Sequence, residues 1–157
     1  DKPIKKYGWE CRGSDERQYC SPNANLPFIT ICRSKFGTYP EYHTSLDNLN
    51  FISDHGLTES INMIKEIINI LEKNETYIST IVGEPHLKKY KLIEGFGTKD
   101  INNSARKLLD VHSRLDGRTD ILTIARETKI PFREVLRIVL LLCDKQIAVH
   151  SEITDHT

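Results

Sequence analysis

The chain has no long hydrophobic run. Its apolar stretches fall far short of the about 18 residues that a membrane-spanning helix needs, which excludes that class of protein. The first residues, Asp1-Lys2-Pro3-Ile4-Lys5-Lys6, contain no apolar core segment, so they do not form a secretory signal. They also lack an initiating Met, as expected of a piece of a longer chain. Charge of neither sign is in excess: 22 Lys+Arg stand against 22 Asp+Glu. Divided after Gly97, the chain has 12 basic and 13 acidic residues before the cut, and 10 and 9 after it. Neither part carries the basic surplus of a nucleic-acid-binding domain. Cysteine is sparse, at positions 11, 20, 32 and 143, with spacings that match no zinc finger and no CxxC redox motif. Cys143 lies in an apolar helical run, where a buried free thiol is the common case. Two disulfides are possible on paper; free thiols are the favoured reading, and with no signal they lead to the expectation of a cytoplasmic protein. There is no Gly-rich phosphate loop and no GxSxG nucleophile elbow. The histidines at 55, 86, 112, 150 and 156 share no ligand spacing with each other or with cysteine, so they read as structural or solvated.

What is present divides into two patterns. The hydrophobic fraction, 38% of 157 residues, supports one ordinary domain or two small ones. Residues 7–57 are rich in turn formers. Within them Leu26-Pro27-Phe28-Ile29-Thr30-Ile31-Cys32-Arg33 reads as a buried strand, short and β-branched, with its proline near the start. A polar loop follows from Ser34 to about Asn50. Ile61, Ile64, Ile67, Ile68 and Leu71 then recur at helical spacing, with Thr58 as a candidate N-cap and Lys73-Asn74 closing the run. Residues 76–103 read as a connector broken by Gly83-Glu84-Pro85 and Gly95-Phe96-Gly97. The domain boundary is drawn between residues 97 and 98.

The last part, residues 98–157, has a different rhythm. Ala105, Leu108, Leu109, Val111, His112 and Leu115 suggest a helix, and Asp116-Gly117 a turn. Thr119 or Asp120 caps a short second helix through Ile121, Leu122, Ile124 and Ala125. Lys129-Ile130 is a tight turn, and Pro131 suits the first position of a third helix carrying Phe132, Val135, Leu136, Val139 and Leu142. Residues 146–150 make a closing strand. Three helices, a tight turn between the second and third, and a strand form a winged helix-turn-helix pattern. The expected fold class is thus an α/β segment, residues 1–97, followed by a mostly α winged-helix domain.

His43 is the first candidate for chemistry. Neutral imidazole presents a nitrogen lone pair to a metal, and His43 sits in a polar loop after a buried strand, beside Tyr42, Thr44, Ser45 and Asp47. Loops beyond the carboxyl ends of α/β strands are where such sheets place their sites. Asp47 is a candidate for orienting the imidazole, and a solvated loop histidine is the plainer alternative. The second candidate is Gly13-Ser14-Asp15-Glu16-Arg17, either a charged surface turn or a paired acid, Asp15 and Glu16, that orients a ligand.

These motifs carry a resemblance. Residues 13–22 (Gly-Ser-Asp-Glu-Arg-Gln-Tyr-Cys-Ser-Pro), Asn25-Leu26-Pro27, and residues 39–48 (Tyr-Pro-Glu-Tyr-His-Thr-Ser-Leu-Asp-Asn) are similar to a bacterial and archaeal aminopeptidase-like family. That family is found near polysaccharide-biosynthesis genes and ends in a winged helix. Gly83-Glu84-Pro85-His86-Leu87 also resembles its Glu-Pro-Gln-Leu segment, with His86 in place of Gln. The catalytic-type domain of the family looks similar to the co-catalytic zinc exopeptidases, the group of leucyl aminopeptidases and glutaminyl cyclases. In that group the His of a His-Thr-x-x-Asp segment is a zinc ligand, and His43, followed by Thr44 and Asp47, falls on it. Ser14-Asp15 match the upstream Ser-Asp-His segment, with Glu16 where the exopeptidases have His.

The resemblance implies zinc as cofactor in the full-length protein and an incomplete site in this chain. The other ligands of the group, a His, two Asp and a Glu, lie N-terminal to the Ser-Asp segment. The expected partner is therefore the missing N-terminal part of the same domain, with zinc not stably held and no catalysis by this chain alone. Tyr42, Asp15, Glu16 and Asp47 would support the site. The winged helix reads two ways. As a nucleic-acid module it would use Arg126, Lys129, Arg133 and Arg137. Against that, residues 138–143 of its third helix are apolar nearly all round, whereas base-reading helices present polar side chains. A helix apolar all round is buried or meets protein, so packing or homo-oligomerisation is the expectation, with no membrane partner and nucleic acid disfavoured.

Overall fold

The computed structural model describes residues 4–92 and 101–151. The boundary drawn between residues 97 and 98 lies outside them. The chain divides into two compact units, residues 1–60 and 61–157.

In the first unit, a 3-10 turn (Trp9–Cys11) leads into α1 (Asp15–Tyr19), and irregular turns follow up to α2 (Asp54–Glu72). The start of α2 differs from the expected Thr58. Ser53 Oγ accepts the Gly56 N–H at 3.1 Å, which is N-cap geometry, so the helix begins four residues before Thr58. Residues 26–33, expected as a strand, form no ladder among the described residues. The apolar, β-branched composition is there; a partner strand is not, and a strand needs one to satisfy its backbone.

The second unit takes up the rest of α2 and then β1 (Thr76–Ser79), α3 (Ile101–His112), β2 (Asp116–Asp120), α4 (Ile121–Thr128), α5 (Phe132–Asp144) and β3 (Ala148–His150). The sheet order is β2-β1-β3, antiparallel throughout. Tyr77 faces His150 and Ser79 faces Ala148, while a bulge interrupts the β1–β2 register between Thr76 and Ile78. The start of the expected connector is thus the central strand of the wing. The expected Asp116-Gly117 turn is the start of β2, where Gly117 takes φ 79°, a backbone state that favours glycine.

α3, α4 and α5 pack on one another, and α4 and α5 meet the sheet at β2 and β3. Leu108, Val111, Ile121, Ile124, Val135, Val139, Leu142 and Ile147 are fully enclosed, each contributing about 1.5–3 kcal/mol of apolar burial. The apolar second half of α5 is thereby accounted for in part: Ile138, Val139 and Leu142 are buried, whereas Leu140 is exposed. Asp120 caps α4, accepting the Thr123 N–H at 2.8 Å and its hydroxyl at 3.1 Å. Lys129, at φ 57°, ends α4 in the left-handed conformation, and Pro131 sits at the N-cap of α5. The mixed α/β class with a winged helix-turn-helix is as expected from the sequence.

Candidate functional site

His43 lies in the first unit, solvent-exposed, with φ 58°. A non-glycine residue in that region stores backbone strain and persists where neighbours hold it. The holding contact is Tyr42, whose ring stacks on the imidazole with centroids 3.9 Å apart and planes 16° apart. Tyr42 in turn meets Tyr39 edge-on at 5.8 Å and Phe36 at 6.0 Å, and Tyr39 stacks on Phe51 at 5.6 Å. Asp47 is exposed, its N–H donating to the Thr44 carbonyl at 3.2 Å. Burial raises the Tyr39 phenol above its ordinary value, and the Asp47 charge adds to the shift.

Asp15 and Glu16 part company although adjacent. Asp15 points to solvent at the start of α1, whereas Glu16 is 5% exposed. The Glu16 carboxylate accepts the Gly13 N–H at 3.3 Å. Its own N–H holds the carboxyl below the usual Glu value against the opposing effect of burial, helped by Gly13 and the Thr30 hydroxyl. Glu16 thus fastens its own motif to the 26–33 segment. The two motifs also meet through an aromatic residue that sequence reasoning passed over. A Cβ on Gly13 would lie 3.1 Å from the Phe36 ring, so the Gly13 backbone rests on Phe36, and Phe36 contacts Tyr42. Phe36 and Phe51 were legible only as aromatics in or beside the polar loop, and Tyr39 only as the first residue of its motif.

Zinc is the metal that the family resemblance implies. His43 offers one nitrogen donor. Among the described residues no three His, Cys, Asp or Glu side chains gather where they could hold a metal. A catalytic zinc takes three protein ligands and an open position, so the described residues do not make such a site by themselves. All four cysteines are free thiols, and burial raises the pKa of Cys143.

All four basic residues named for the winged helix are exposed, and two of them engage partners. Arg126 is exposed in the last turn of α4 and Lys129 is exposed just after it. Arg133, at the start of α5, is engaged by both carboxylate oxygens of Glu66 on α2. Arg137 is exposed and has its own interaction partner. A second clamp joins Lys107 of α3 to both oxygens of Glu134, at 2.9 and 3.1 Å. Elsewhere in this unit His112 is 6% exposed, with Nε2 2.9 Å from Ser79 Oγ. The Ser79 hydroxyl has one proton, to give to Nε2 or to the Ile81 carbonyl at 3.1 Å, and the His112 tautomer sets which. The pair ties the end of α3 to the end of β1.

Comparison with known proteins divides the chain between residues 74 and 75. Residues 1–74 match the domain of unknown function DUF4910, and residues 75–150 match the winged helix-turn-helix family. A Clostridium acetobutylicum protein, described by inference as a polysaccharide biosynthesis protein with aminopeptidase-like domain, is 36% identical over 127 residues. That match covers 78% of this chain and 29% of the relative. A crystal structure of an inferred peptidase from the same organism matches with TM-score 0.75 and 30% identity, covering 89% of this chain and 30% of that one. The chain therefore spans less than a third of the length of either. It is a peptidase-like segment joined to a winged helix-turn-helix domain. Its similarity to the aminopeptidase-like proteins of polysaccharide biosynthesis, expected from the motifs, is borne out. No helix among the described residues is long and apolar enough to cross a membrane.

Proposed function

We propose that this chain is the C-terminal portion of a zinc-dependent aminopeptidase-like hydrolase. In that reading it contributes one metal donor, His43, and does not catalyse by itself. The observation that carries the reading is His43 itself: an exposed imidazole held on Tyr42 at a strained loop position, in a chain 36% identical to a protein with an aminopeptidase-like domain. Tyr42 positions the ring. Asp47, Asp15 and Glu16 support the loop and the motif beside it, Glu16 from within. The remaining metal donors and the general base belong to the part of the protein outside this chain, and the bond cleaved is an amide. The winged helix serves packing or self-association. Arg133 and Glu134, at the head of its third helix, are already committed to Glu66 and Lys107, which leaves that helix poorly equipped to read bases.

Turnover of aminoacyl-amide substrates by the complete translation product of the gene, set beside turnover by this 157-residue chain, tests the reading. Hydrolysis is expected from the first and only the uncatalysed rate from the second. Equal turnover by both would overturn the claim that the site is incomplete here.

A further inference from the structure

Two apolar features among the described residues stay about half exposed or more. The first is the 26–33 segment. Phe28, Ile29 and Ile31 are 40%, 71% and 44% exposed, so residues of both parities are uncovered. Among the described residues, no backbone hydrogen bond joins residues 29–33 to any other segment. A row of unpaired backbone groups on apolar, β-branched residues is the template for strand addition. A strand apolar in both parities belongs in the interior of a sheet covered on both faces.

The second feature is on α2. Leu57, Ile61, Ile64, Ile68 and Leu71 follow one another at steps of four, three, four and three, which aligns them on one side of the helix. They are 45–63% exposed. Within the first unit, Arg33 ties the end of the 26–33 segment to the start of this helix. Its Nη1 donates to the Gly56 carbonyl at 3.2 Å and to Glu59 at 2.8 Å.

We propose that residues 26–33 become a strand only when paired with the remaining portion of the aminopeptidase-like domain, and that the same portion covers the α2 stripe. The inference rests on the reading of this chain as part of a larger hydrolase. The length of the relatives identifies the occupant. Both are more than three times the span matched here, and residues 1–74 supply a long helix and no strand among the described residues. A helix with an apolar stripe and a strand without neighbours are what remains when a sheet's other strands lie elsewhere in the protein.

Hydrogen exchange read by mass spectrometry tests this on two molecules: the complete translation product of the gene and the 157-residue chain. In the chain alone, the amides of residues 29–33 are expected to exchange at nearly unstructured rates. In the complete product they are expected to slow by at least about 100-fold, as for strands within a cooperative core. Ile29→Asp and Ile64→Asp in the complete product should abolish that protection, whereas Leu140→Asp, an exposed winged-helix position, should not. Unchanged protection of α4 and α5 shows that each variant keeps its winged helix. Fast exchange in both molecules would overturn the proposal. So would protection in the isolated chain accompanied by dimer mass in sedimentation, which would make a second copy the occupant. Neither zinc nor turnover enters the readout, so this inference can fail while the hydrolase reading stands, and the reverse.

Discussion

Arg133 grips both carboxylate oxygens of Glu66, with Nε donating to Oε1 at 3.1 Å and Nη2 donating to Oε2. The first full turn of the winged helix's third helix is thereby bound to the second half of α2. The Arg133 hydrogen bonds hold the Glu66 carboxyl below its ordinary value near 4.5, against desolvation, and Glu66 raises Arg133 in return. A carboxylate depressed in the folded state stabilises above its unfolded pKa, and the effect is lost as pH falls through the folded value. The coupling between Glu66→Gln and Arg133→Gln in a double-mutant cycle is therefore expected to be present at neutral pH. It should disappear below the folded pKa and shrink in about 1 M salt, because the pair is exposed. The same pairing bears on nucleic acid. Neither the wild-type chain nor Glu66→Gln should bind duplex DNA with a steep salt dependence; such binding, measured by fluorescence anisotropy, would reverse the packing assignment.

Asp120 organises the junction of β2 and α4. Burial works to raise its carboxyl, but the Thr123 N–H and hydroxyl, Asn74 and the Leu122 N–H outweigh it, and the group lies below the ordinary Asp value of 3.8. Asn74 adds its own capping bond, accepting the Leu122 N–H at 2.7 Å. Asp120→Ala should lower the stability of the winged helix by about 1 kcal/mol in urea unfolding, the usual worth of an N-cap. The loss is expected in full at neutral pH and should fade as pH falls through the folded Asp120 value, where the wild type has lost its charge as well. A neutral result at pH 7 would mean that Asn74 alone caps the helix.

His112 gives the winged helix a pH dependence of the same direction at a higher pH. Burial lowers its pKa below the ordinary 6.5, and the Glu84 charge only partly offsets this. The unfolded chain binds the proton more readily than the folded one, so stability rises with pH across the window between the two pKa values. The contribution is complete above about pH 6.5 and falls away as pH drops toward the folded pKa. Thermal unfolding of wild type between pH 7 and 5 should show this slope, and His112→Gln should remove it. A slope unchanged in His112→Gln would place the titration elsewhere.

The winged helix was legible because its signals are local. Asp120, Lys129-Ile130 and Pro131 punctuate the chain where the structure places caps and turns, and Val135, Val139 and Leu142 recur at the helical period. Its sheet was less so. β1 is four residues long, too short for period-two alternation to register, and β2 (Asp116–Asp120) has the composition of a turn; both are strands because each finds a partner. Residues 26–33 are the reverse case, with strand composition and no partner among the described residues. At the candidate site, His43 was legible through its motif. Its left-handed backbone and the Tyr42, Tyr39, Phe51 and Phe36 cluster around it were not, since side chains up to fifteen positions apart converge there without any period.

His43 is proposed above as a metal donor within a larger hydrolase. The most direct test of this is the zinc content, by plasma mass spectrometry, of the complete translation product and of its His43→Ala variant after dialysis against a weak chelator. The wild type should retain zinc. The variant should lose affinity by at least about tenfold, the loss that removing even an outer-sphere partner causes, with the winged helix still folded. Equal zinc in the two proteins would contradict the assignment.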